Sequence, residues 1–416
     1  MDEILKNRLL RTRLPAQDQR KLVLLTGARQ TGKTTLAKLA YPSLPYINLD
    51  APENREKIRQ VPTALWASSI GNALIDEAQK SPELFEKVKY AYDAHEISFA
   101  VMLGSSQITL LKNIRETLAG RIAIYEIYPL LMSEICTPVE KKISQPLLAE
   151  IVSGNDISRI LTSVSPLLFD SEETLKVQAN QHLLRWGGMP ALLHIPEEER
   201  AKWLKDYEYT YLERDLADLA RLNDLQPFRL FQKLAALCSG CLLNYSELAR
   251  DSGVSVDTTR RYLEYLRLSY QVILLQPYSR NMTSSMVKTP KLYWLDVGIL
   301  RQLSGFTGEL TGEIYETMVV SEIYKWLRTM QHEAELFFYR TRHGLEMDLL
   351  IELPQGIIGI EIKARDKVTM RDVNTMRNIS TQFSNWLGGI VIYNGNLIQK
   401  LAEPNFWAIP AWRLFT

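Results

Sequence analysis

The feature that most constrains this chain is the run GARQTGKT at residues 27–34. It follows KLVLLT (21–26), a short apolar run rich in β-formers, and precedes TTLAKLA, whose residues favour helix. Strand, glycine loop and helix in that order fit G-x-x-x-x-G-K-[ST], with Gly27, Gly32, Lys33 and Thr34 at the fixed positions. The glycines carry no Cβ, so the N–H groups between them can turn inward, and the helix adds its positive N-terminal end. The sequence therefore predicts a phosphate cradle. Lys33 would neutralise the β and γ phosphates of ATP, Thr34 would ligate Mg²⁺, and Thr35 would complete the loop. A chance glycine loop is the alternative, and the flanking strand and helix argue against it.

Residues 72–77, NALIDE, form an apolar strand ending in two acids. Asp76 stands where a carboxylate would hold the magnesium, and Glu77 where one would polarise the attacking water. Such a pair can also simply cap the next helix; its placement downstream of Lys33 gives it weight. The adjacency of the acids points to the P-loop subclass with an extra strand between the two motifs, and YINLD (46–50) is the candidate for that strand. SFAVMLGSS (98–106) is another buried strand, ending in Ser105 and Ser106, where a polar side chain can sense the γ-phosphate. IAIYEIYPL (122–130) completes an expected five-stranded parallel sheet with helices on both faces. Arg121, just ahead of it, either stabilises transition-state charge, in cis or across the interface of a homo-oligomer, or is a solvated strand-edge arginine.

The chain of 416 residues exceeds one compact core, so roughly two to three domains are expected. Hydrophobic residues at 46% and charged residues at 23% fit a globular protein. No apolar run approaches the ~18 residues of a membrane span, and MDEILKNRLLRTR has no signal-peptide core, so no membrane contact and a cytoplasmic location are expected. A net charge of +1 excludes a globally basic nucleic-acid binder and leaves any DNA contact to a local patch. Cys238 and Cys241 form a CxxC with no second pair, read as a buried helix-to-loop position rather than a zinc or redox site; the scattered histidines form no ligand set.

Residues 201–222 carry apolar and aromatic residues at helical spacing, predicting a long amphipathic helix. FRLFQKLAALCSG (228–240), NYSELARDSG (244–253) and VSVDTTRRYLEYLRLS (254–269) read as three short helices, with Asn244 and Ser255 as N-caps. The β-like YQVILLQPY (270–278) follows them, which makes a winged helix-turn-helix. Seven basic residues against four acidic ones over 228–280 give a mild excess of +3, and Arg260 and Glu264 are spaced to pair with each other. The module is a candidate for contacting DNA through its third helix or for contacting protein.

KTPKLYWLDVGILRQL (288–303) reads as a strand running into a helix, and TGEIYETMVVSEIYKWL (311–327) as an amphipathic helix. FFYRTRHGLEMDLLIEL (337–353) alternates like two strands turning at His343–Gly344, and GIIGIEIKA (356–364) is a third. Helix, strand and strand carrying Glu316, Asp348 and Glu361-x-Lys363 resemble the PD-(D/E)XK nuclease core. Asp348 and Glu361 on neighbouring strands would share a hard divalent ion, and period two puts Lys363 on the face of Glu361. Glu316 matches that family's helical glutamate better than Glu322 does. Met347 stands where the motif's name has proline. A degenerate binding module is the alternative to metal-dependent phosphodiester cleavage.

GARQTGKTTLA, LIDEAQKSPELFEKVK, GSSQITLL, LAGRIAIYEIYPL and WGGMP together resemble a family of prokaryotic AAA-like P-loop ATPases, of the AAA+ superfamily and ASCE type. These carry a C-terminal domain of unassigned role that itself resembles PD-(D/E)XK nucleases. The likeness runs over most of the chain and thins at 136–180, which reads as a variable insertion or lid. It implies ATP and Mg²⁺ as cofactors, ATP binding and hydrolysis, and an unassigned client. The expected fold is α/β: an ATPase domain at 1–135, a helical lid or linker at 136–225, a winged helix at 226–285 and a nuclease-like domain at 286–416. Two functions follow: a DNA-associated ATPase driving a nuclease-like domain, or an ATP-dependent interaction switch with an inactive one.

Overall fold

The computed structural model describes residues 6–105, 117–154, 156–167, 171–212, 226–279, 289–341 and 344–416. Ser106, Arg280, His343 and the stretch 213–222 of the expected long helix lie outside them.

The first sheet contains β1 (Lys21–Thr26), β2 (Tyr46–Asn48), β3 (Leu74–Asp76), β4 (Phe99–Gly104) and β5 (Ile122–Glu126), all parallel, in the order β2-β3-β4-β1-β5. The strand expected at YINLD forms as β2, but at the sheet edge rather than beside β1. The strand between the loop strand β1 and the acid-bearing β3 is β4, and YIN lies at the sheet edge. Burial explains the placement: FAVMLG is buried along its whole length and fits the centre, whereas Tyr46–Asn48 is exposed to half-buried and fits an edge. Alternation along β1 splits the core. Leu22 and Leu24 join Ile75, Phe85 and Met102 on one face, while Val23 and Leu25 join Leu36, Val101 and Leu103 on the other. Helices α1 (Lys33–Ala40) and α2 (Glu83–Asp93) belong to this layer.

The expected long helix is Glu197–Tyr207, running into a π-turn at Glu208–Leu212. Then come α3 (Gln226–Leu237), α4 (Tyr245–Ser252) and α5 (Val256–Leu268). Asn244 and Ser255 cap the last two, accepting from the amides of Glu247 and Thr258. β6 (Val272–Pro277) and β7 (Lys291–Trp294) form an antiparallel hairpin, and Leu242 bridges to Lys291 on its outer side.

The hairpin does not stand apart. β6 pairs in parallel with β8 (Glu335–Arg340), so the expected boundary at 285/286 falls inside one sheet of order β12-β13-β11-β10-β9-β8-β6-β7. The remaining strands are β9 (Glu346–Leu353), β10 (Gly356–Lys363), β11 (Trp386–Tyr393), β12 (Gln399–Ala402) and β13 (Phe406–Pro410). α6 (Val297–Ser304) and α7 (Gly312–Thr329) precede β8, and α8 (Asn374–Ser380) connects β10 to its parallel partner β11. Within 136–180, expected as a variable insertion or lid, residues 156–167 are fastened to the C-terminal domain. Ser158 Oγ donates to Asn405 Oδ1 at 2.8 Å, the Ile398 amide to Pro166 O at 3.0 Å, and Arg413 to Ser165 O at 2.9 Å. No helix among the described residues is long and apolar enough to cross a membrane.

The segment Tyr128–Glu134, leaving β5, is where the parts meet. Buried Glu134 accepts from the amides of Leu9 (2.7 Å) and Leu131 (3.0 Å) and pairs with Arg8 at 3.1 Å. From the other side, Glu322 of α7 accepts from the Met132 amide at 2.8 Å, and Lys325 donates to Leu130 O at 3.2 Å while pairing with Glu322 at 2.5 Å. Both α7 side chains are almost fully buried, so each charge depends on the other and on these backbone groups. The Leu130 amide donates to Gly188 O, and the Gly188 amide donates to Asp296 at 2.7 Å.

Candidate functional site

The loop after β1 has the backbone its glycines permit. Gly32 sits at φ +91°, and a Cβ on Gly27 would lie 2.1 Å from Ile127 O. Lys33 Nζ donates to the carbonyls of Gly27 (3.0 Å) and Ala28 (2.8 Å), which holds its stem across the loop. Thr34 Oγ1 donates to Asp76 Oδ2 at 2.7 Å, so the loop hydroxyl and the strand carboxylate expected at a magnesium are in direct contact. The same Oδ2 accepts from Tyr46 Oη at 2.9 Å, and Oδ1 accepts from the Glu77 amide at 2.9 Å. Glu77 lies in left-handed backbone at φ +54° and accepts from Gln79 Nε2 at 2.5 Å. Burial raises its pKa against the opposing pull of Arg29.

Gly32, Lys33, Thr34, Thr35, Asp76 and Glu77 line one cleft of about 430 Å³. Three further contributors were not apparent in the sequence: Arg8, Arg29 and the Pro190–His194 turn. Arg8 donates to Thr31 O and Tyr128 O, both at 2.6 Å, tying the phosphate loop to the segment that joins the domains. Ser105, at the end of β4, is buried with an unpartnered hydroxyl, which suits a group awaiting a polar ligand.

Arg121 is elsewhere. It precedes β5, and in a parallel sheet strand starts lie at the edge opposite the phosphate loop, roughly 16 Å away over five residues. There it pairs with Asp93 at 2.7 Å, half-exposed. Within one chain it stands at the strand edge, too far from the loop for the cis transition-state role.

A polar cluster lies behind the loop. Tyr270, from the turn before β6, donates to Glu126 Oε1 at 3.0 Å and lies 3.3 Å from Thr26 Oγ1, next to Gly27. Tyr128 donates to the other oxygen of Glu126 at 2.5 Å and packs edge-on against Tyr270 and against Tyr324 of α7. Burial and the Glu126 charge push the Tyr270 hydroxyl far up, so it stays a donor.

The C-terminal acids also converge. Pairing of β9 with β10 runs from Leu353 and Gly356 to Leu349 and Ile360 and stops there; beyond it the Ile362 amide donates to Asp348 Oδ2 at 2.8 Å. Glu361 and Lys363 share a face and pair at 2.6 Å. Glu316 Oε1 accepts from Tyr293 Oη at 2.6 Å and lies 3.5 Å from Lys291 Nζ, which sits 2.6 Å from Glu346. Burial, with the Asp348 charge beside them, pushes Glu316 and Glu361 each up to about 7. Burial raises Asp348 as well. The expected quartet is therefore brought together, but it does not fit a divalent metal as folded. Among the described residues no three His, Cys, Asp or Glu side chains are arranged to hold a metal ion, and lysines, Tyr293 or a backbone amide engage the acids.

Sheet order, glycine loop and acid pair are those of a P-loop nucleotide-binding domain. Residues 19–136 match the family model described as an AAA domain, residues 178–310 the domain of unknown function DUF8612, and residues 311–414 the domain of unknown function DUF4143. The chain is 29% identical over 351 residues to uncharacterised proteins of Mycobacterium bovis and Mycobacterium tuberculosis, covering 82% of this chain and 70% of each relative. It is similar to a solved Walker-type ATPase of Pyrococcus abyssi, with a TM-score of 0.41 and 16% identity, covering 70% of this chain and 93% of that one.

Proposed function

We propose that this protein binds and hydrolyses Mg²⁺–ATP at the 27–34 loop and acts in association with DNA, its winged helix recruiting substrate and its nuclease-like domain following the nucleotide state. One observation carries the ATPase half: Lys33, Thr34, Asp76 and Glu77 meet in one cleft. Mg²⁺, held by Thr34 and Asp76, would supply charge neutralisation on the phosphates. Lys33 exchanges its loop carbonyls for phosphate oxygens. Glu77, half-desolvated and aimed by Gln79, takes the water's proton, and a raised pKa makes it the stronger base. Arg8 joins the loop to Tyr128, giving nucleotide binding a mechanical route to the segment that α7 grips.

The DNA half is supported by three helices and a hairpin in winged-helix order, with Arg260, Arg261 and Arg267 exposed on α5. Arg260 pairs with Asp257 and Arg267 with Glu264, but exposed pairs contribute under ~1 kcal/mol, so phosphate can displace the acids. For the C-terminal domain, α7, antiparallel β8–β9–β10, then α8 and parallel β11 support the nuclease-like reading. One observation favours the interaction switch with an inactive nuclease-like domain: Lys291 seated on Glu346 and beside Glu316. The test is ATP turnover by the full chain alone and with single-stranded, double-stranded and branched DNA. Stimulation by DNA, with binding that weakens steeply as salt rises, is expected. Turnover with no DNA binding at low salt would remove the DNA half and leave the switch.

A further inference from the structure

One cation of the C-terminal acidic site comes from outside the matched segment that carries the acids. Lys291 and Tyr293 alternate on one face of β7, within the segment matched at 178–310, whereas Glu316, Asp348 and Glu361 lie within 311–414. The Lys291 side chain is 5% exposed, with its ammonium 2.6 Å from Glu346 Oε1 and 3.5 Å from Glu316 Oε1. Phe338 lies alongside it, its ring 5.7 Å from the ammonium. An ammonium this buried is stable only with anionic partners, and these carboxylates need a cation as much as it needs them.

A divalent ion held by Asp348 and Glu361 would lie in the same acidic cluster, because the Lys291 charge acts on Asp348 and Glu316 alike. Mg²⁺ takes oxygen ligands at about 2.0–2.1 Å, and Mn²⁺ accepts similar ones. A metal ion beside Asp348 and Glu316 would meet the Lys291 charge across a poorly solvated pocket, with strong repulsion. We propose that Lys291 is the resident cation of this site, occupying the place a divalent metal would take, and that β7 thereby holds the nuclease-like domain in a metal-free, autoinhibited form. Tyr293 adds to this hold by bonding the Glu316 oxygen nearest Lys291. The site changes its cation only when β7 withdraws.

The test is Mn²⁺ binding to the full chain, followed by electron paramagnetic resonance, counting only binding that Asp348→Asn removes so that the nucleotide cleft does not contribute. Wild type and Lys291→Arg are expected to show no such binding at concentrations where Lys291→Met takes up one ion at least tenfold more tightly. Lys291→Gln repeats the experiment should the methionine variant not fold, as judged by circular dichroism. Wild type binding Mn²⁺ as tightly as the neutral variants, or neutral variants gaining none, would overturn the proposal. DNA cleavage by the Mn²⁺-loaded variant is scored separately: bound metal without cutting counts against the nuclease reading and leaves the role of Lys291 intact.

Discussion

The two acidic sites use similar residue types in opposite ways. In the nucleotide cleft, hydroxyls of Thr34 and Tyr46 and one backbone amide satisfy Asp76, while Lys33 is held by carbonyls. Neutral donors orient that carboxylate without cancelling its charge, so it keeps its attraction for a cation arriving with ATP. In the C-terminal site, ammonium groups sit directly on Glu346 and Glu361, and the local charge is already partly met. The motif names the acids in both places. Whether a site is ready for metal depends on what else touches them.

The contrast breaks most readily at the loop. Lys33→Ala should lower ATP turnover by about 100-fold or more and weaken nucleotide binding, read by steady-state phosphate release and a fluorescent nucleotide titration. An unchanged rate would remove the cleft from the account. Next in size is Lys325→Ala, which leaves Glu322 buried beside the Met132 amide without its partner. A loss of roughly 3–5 kcal/mol in urea unfolding is expected. A loss under 1 kcal/mol would show that α7 does not depend on this pair.

A pH effect should follow from His182, whose Nε2 has no partner and whose burial lowers its pKa to about 4 from 6.5. The folded chain keeps the imidazole neutral, while the unfolded chain protonates below 6.5. Stability from this source is therefore present above pH 6.5 and lost as pH falls toward 4. The urea midpoint of wild type should drop over that window, and His182→Gln should flatten the drop; parallel curves would contradict it. The smallest effect is expected from Arg121→Ala. Arg121 stands at the start of β5, away from the phosphate loop, and pairs with Asp93 at the end of α2, so turnover should change less than about twofold.

What could be read in the sequence was local. The loop, the DE pair and the caps Asn244 and Ser255 each follow from residues a few positions apart, and their geometry matches that spacing. Arg8 acts on carbonyls 23 and 120 residues away, and Lys291 on acids brought in by a different segment, so no local period announces either. Order along the chain points to YINLD as the strand between the motifs, but crossover connections decide which strand lies between two others. Proximity to a strand makes Arg121 a candidate in sequence, although in a parallel sheet the start of that strand is its distant end. Strands β11 to β13 carry no chemical motif, and only the sheet gives them a place.

The most direct test of the ATPase assignment is Glu77→Gln in the full chain with Mg²⁺ and ATP. The substitution keeps size and an acceptor for Gln79 but removes the base. Turnover should fall by about 100-fold or more while ATP affinity stays within about threefold of wild type. Turnover at the wild-type rate would contradict the assignment of this cleft as the site of hydrolysis.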